Sequence, residues 1–65
     1  MSLADQYDAA VAALEALEAT TDTATASGTY SGAKRDAIDE VGTAVRGALA
    51  VMRQSPGAQL RDLGI

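Results

Sequence analysis

Apolar residues recur at alternating intervals of three and four along two stretches of this chain, with a run of small polar residues between them. In the first stretch the stripe is Leu3, Tyr7, Ala10, Leu14 and Leu17, widened on one side by Val11. That spacing is the signature of an amphipathic helix, and it predicts a helix from about residue 3 to 19. Ser2 is a candidate N-cap, and Asp5 suits the positive start of a helix. Asp5 stands where a capping box carries Glu or Gln, so that signal is partial. Ala9, Ala12, Ala13 and Ala16 smooth the opposite side, as expected where alanine serves as helix filler.

The second stretch repeats the pattern at Ile38, Val41, Val45, Ala48, Leu49 and Met52. It predicts a helix over about 33–54, with Ser31 as a candidate N-cap. Gly42 and Gly47 fall inside it, each costing up to about 1 kcal/mol relative to alanine. Gly42 borders the stripe and suits a close backbone approach, whereas Gly47 faces away. Ser55-Pro56 is a break followed by a helix start, with proline at the first helical position and Ser55 as its cap. A short helix over about 56–63 is expected, ended by Gly64.

Residues 20–32 read Thr-Thr-Asp-Thr-Ala-Thr-Ala-Ser-Gly-Thr-Tyr-Ser-Gly. This is long for a link between packed helices, where two to eight residues is common. An irregular connector is favoured over a weak β-hairpin turning at Ser27-Gly28. The expected fold is therefore all-α: one domain, a two-helix antiparallel hairpin with a long Thr/Ser/Gly connector and a short C-terminal helical turn. Helices of 17 and 22 residues span about 25 and 33 Å, so the second is expected to overhang the first.

Charge offers a pairing between the helices, with two solvated faces as the equal alternative. Residues 1–33 hold five acids and no base, while all five bases fall in residues 34–65. Asp8, Glu15 and Glu18 lie on one shoulder of the first helix, and Arg35, Arg46 and Arg53 on one shoulder of the second. Their opposition would favour one helix orientation. Exposed pairs are each worth about 0–1 kcal/mol, so they select more than they stabilise.

Composition narrows the function. Sixty-five residues bury a small core, and this chain has no Cys, His, Phe or Trp and only two aromatics, Tyr7 and Tyr30. Disulfides and thiolate or imidazole metal sites are closed to it, and so is the usual general base. Oligomerisation or docking is the remaining route to stability. A net charge of −4 without a basic patch argues against nucleic acid as a partner. No apolar run is long enough to span a bilayer, and no signal-peptide pattern opens the chain. The expected location is the cytoplasm, or a particle assembled there.

Two motifs fail on inspection. Gly28-Thr-Tyr-Ser-Gly32-Ala-Lys34 lacks the spacing and preceding strand of a phosphate loop. Asp36, Asp39 and Glu40 form an acidic first turn, which suits the helix dipole and gives Arg35 an ion-pair partner in Asp39.

The stretch from Ser2 to Glu18, SLADQYDAAVAALEALE, resembles the first helix of small head–tail joining proteins of tailed phages. It covers about a quarter of the chain. That resemblance implies a helix, a short β-hairpin and a second helix, placed ring-like between larger subunits of a virion. The family's hairpin carries β-branched and aromatic residues, where this chain has mostly Thr, Ser, Ala and Gly.

The reading is a non-catalytic structural or assembly protein without cofactors. Its partners are proteins, either further copies or a larger hetero-complex, with no nucleic acid or membrane. The overhanging second helix and the chain end, through Met52, Leu60, Leu63 and Ile65, are the expected contact residues. The alternative is a small acidic regulator that occupies a basic site on one target protein through its acid-only first half.

Overall fold

A computed structural model describes residues 2–54 and 56–65 of the chain. It is all-α: α1 spans Leu3–Ala26, α2 Ala33–Met52 and α3 Pro56–Asp62. The first two form the antiparallel hairpin, and α3 folds back against the N-terminal half of α1. Ser2 caps α1, its hydroxyl accepting from the Asp5 amide at 3.1 Å. Ser55, the expected cap of α3, lies outside the described residues.

The largest departure from the sequence reading is the length of α1. Thr20 to Ala26 continue the helix for about two turns, so the connector is only residues 27–32. Threonine is a modest helix former, but its hydroxyl here finds a partner within the helix. Thr20, Thr21 and Thr23 donate to the carbonyls of Ala16, Leu17 and Ala19 at 2.8–3.1 Å. Termination falls to Gly28, whose φ of 67° is the left-handed conformation that ends many helices. Gly32, not Ser31, is the N-cap of α2. Its φ of 61° and ψ of −136° suit a residue without Cβ.

The overhang is thereby reversed. α1 has 24 residues and α2 has 20, and α3 covers part of the surplus on α1.

Both apolar stripes are also rotated from their expected frame. The row of α1 that turns toward α2 is Ala4, Tyr7, Val11, Leu14, Glu18, Thr21 and Thr25. Leu3 and Leu17 are left 53% and 44% exposed. On α2 the row is Arg35, Ile38, Gly42, Val45, Leu49 and Met52, and Val41 is 44% exposed. Each row keeps the three–four heptad spacing. Two features account for this frame. Gly42 is buried against Thr21, whose Cγ2 lies 3.3 Å from where a Cβ on Gly42 would stand. The rotation also brings the acids of α1 beside the arginines of α2 and α3. Buried apolar side chains are few among the described residues: Ala4, Val45 and Leu49, of which Leu49 alone is fully buried.

Candidate partner surface

Helical geometry gives the hairpin two unlike broad faces, because residues flanking a core row point to opposite sides of the plane containing both axes. On one side of the α1 row stand Asp8, Glu15 and Asp22, seven residues apart. Asp22 meets Arg46 at 3.6 Å, Glu15 meets Arg53 at 3.9 Å, and Asp8 accepts from Arg61 of α3. Arg61 also lies 3.9 Å from Asp5. These side chains are all about half exposed, so each pair is worth about 0–1 kcal/mol. Together they close one face with an acid–base ladder and hold α3 on that side.

The expected pairing is thus realised in part. Of the residues named on the two shoulders, Glu15 and Arg53 meet across the hairpin. Asp8 turns instead to Arg61, and Arg46 to Asp22. Arg35 bonds Asp39 on its own helix at 3.1 Å. Glu18 forms none of the ion pairs among the described residues, because it sits on the core row. Asp22 holds the flanking position in its place.

On the opposite face the flanking residues are Leu3, Ala10, Leu17 and Ala24 of α1, again at seven-residue intervals. Beside them run Ala37, Val41, Ala44 and Ala48 of α2. Neither row contains a carboxylate, and Lys34, seven residues before Val41, is the charge at the start of the α2 row. Leu3, Leu17 and Val41 are exposed large side chains, and Tyr30 joins them from the connector at 41% exposure. Between Thr20, Ala24, Tyr30, Ala37, Ile38 and Val41 opens an apolar cleft of about 320 Å³.

The chain end is less open than the sequence suggests. Met52 is half-buried, and its carbonyl accepts from the Tyr7 hydroxyl at 3.0 Å. Leu60 is also half-buried, whereas Leu63 and Ile65 are 74% and 49% exposed. Gly64, at a φ of 74°, ends α3 in a Schellman turn. In that turn the Gly64 amide donates to Arg61 and the Ile65 amide to Leu60. The turn directs the Ile65 carbonyl to the Ala4 amide at 2.9 Å, which satisfies a donor that a helix start leaves free. Two of the four expected contact residues therefore serve internal packing, and two remain at the surface.

Leu3, Leu17, Val41 and Tyr30 are the surface residues that sequence reasoning missed. The first three were assigned to the stripes expected to be buried. Their signal was present in the uncharged seven-residue row, but Tyr7 and Leu14 belong to both candidate frames.

Among the described residues no group of three His, Cys, Asp or Glu is placed to hold a metal ion. Among the same residues no helix is long and apolar enough to cross a membrane. Comparisons with protein-family models, curated proteins and solved structures give no significant match.

Proposed function

We propose that this chain is a non-catalytic assembly protein that seats its apolar broad face on another protein surface within a larger complex. The observation that carries this reading is the asymmetry of the two faces. One is closed by internal ion pairs and by α3, while the other leaves Leu3, Leu17, Val41 and Tyr30 exposed along rows that hold no carboxylate. An aliphatic and aromatic patch of this kind marks interaction surfaces more often than solvent-facing ones. The sparse core supports the same reading, since a small chain without disulfide or metal gains stability from a partner. A virion component is the kind of assembly that the likeness of residues 2–18 to head–tail joining proteins suggests.

The alternative of an acidic regulator is less well supported, because Asp8, Glu15 and Asp22 already face arginines of the same chain. Tagged chain purified natively from its own source distinguishes the two. Leu17→Glu and Val41→Glu are each expected to release the complex, while Ala16→Glu on the outer side of α1 retains it. Neutralising Asp8, Glu15 and Asp22 to their amides should leave the complex intact. Release by the amides alone would favour the acidic regulator and sink the face-docking reading.

A further inference from the structure

We infer that the occupant of the apolar face is a second copy of this chain, packed face to face about a two-fold axis as a four-helix arrangement. The inference rests on the docking reading above and adds the identity of the partner. Three observations carry it.

Exposed area comes first. The chain exposes 4422 Å², whereas a compact monomer of 6.6 kDa is expected to expose roughly 3,900 Å². The excess, about 500 Å², is less than the roughly 800 Å² that one partner hides in a standard interface, so a single such contact suffices to cover it. Footprint is the second. A body 47 Å long and 14–18 Å across offers a face of roughly 650–850 Å², and a stable interface takes about 800 Å² from each partner.

Charge is the third. Each chain carries −4, and apposing most of its surfaces would bring carboxylates together. The two rows around Leu17 and Val41 contain none, and the ion-pair ladder lies on the far side. Face-to-face pairing keeps both sets of charges in solvent. Leu17 and Val41 are flanked in their own rows by Ala10, Ala24, Ala37, Ala44 and Ala48, so the face offers small residues beside each large one for a second copy to fill. Isologous pairing of one patch with itself is the commonest form of homo-oligomer.

Sedimentation equilibrium of the full chain, from low to high micromolar, tests this. The expected species is a reversible dimer of twice the 6.6 kDa chain mass. Leu17→Glu and Val41→Glu should each weaken it by at least about a hundredfold, since each buries an unpaired charge. Their helical circular dichroism should persist, because both residues are already solvent-exposed in the single chain. Val41→Gln provides a milder version if either variant loses its helicity. Leu63→Asp should leave the dimer unchanged. A wild-type chain that stays monomeric, a species larger than a dimer, or a dimer that survives the face variants would overturn the inference. If wild type is monomeric but Leu17→Glu still loses its native complex, only the second copy is wrong. If that variant keeps its complex, the docking reading falls too.

Discussion

Gly42 and Gly47 sit five residues apart in α2 and do different things. A Cβ on Gly47 would meet nothing within 4 Å. Gly47→Ala should therefore gain helix propensity without a clash and stabilise by about 0.5–1 kcal/mol. Gly42 lies against Thr21, and a leucine there would force the helices apart. Gly42→Leu should destabilise by about 1–3 kcal/mol through overpacking, and urea melts followed by circular dichroism measure both. Tyr7 works at the same scale. Its ring lies against Gly57, and its hydroxyl ties α1 to the Met52 carbonyl at the end of α2. Tyr7→Phe should cost about 0.5–1.5 kcal/mol, the usual net worth of one hydrogen bond. The sequence singled out Gly42 for close approach and left Gly47 without a packing role, and both readings hold. It offered no sign of the Tyr7 bond, which depends on a residue 45 positions away.

At the scale of elements, the hairpin was legible and its details were not. Heptad spacing, Ser2 and Pro56 located three helices to within a few residues, except at the end of α1. Thr20–Ala26 defeated a propensity reading because the burial of Thr21 against Gly42 arises only within the folded hairpin, and the hydroxyl-to-carbonyl bonds form only once the segment is helical. The frame of the stripes was ambiguous for a related reason. Glu18, Thr21 and Thr25 occupy core-row positions that a search for apolar residues passes over. Two glycines set the element ends. Gly32→Ala places a side chain in a backbone conformation that costs about 1–3 kcal/mol, so its melting midpoint should fall without loss of helix content. Gly64→Ala strains the Schellman turn that brings Ile65 to Ala4. Amide exchange at Ala4 and Ile65 should quicken in that variant, while Val45 and Leu49 remain protected. Equal exchange at Ala4 in both proteins would show that the turn does not hold the chain end.

For the whole molecule, the sequence pointed to a thin core, which the structure shows, and to the expectation of a protein partner. It assigned that partner to the chain end, where part of the apolar content turns inward. The proposed contact surface lies instead on a broad face, where Leu3, Leu17 and Val41 stand exposed while the acids of α1 meet arginines on the other. The lack of native cysteine makes coverage of that face directly measurable. Single-cysteine variants Leu17→Cys, Val41→Cys and Ala16→Cys can be alkylated in the natively purified assembly and again after it is dissociated. The expected result is slow alkylation at positions 17 and 41 in the assembly, fast alkylation at 16, and comparable rates at all three once the chain is free. Alkylation at 17 and 41 as fast in the assembly as in the free chain would contradict the claim that this face is where the protein meets its partner.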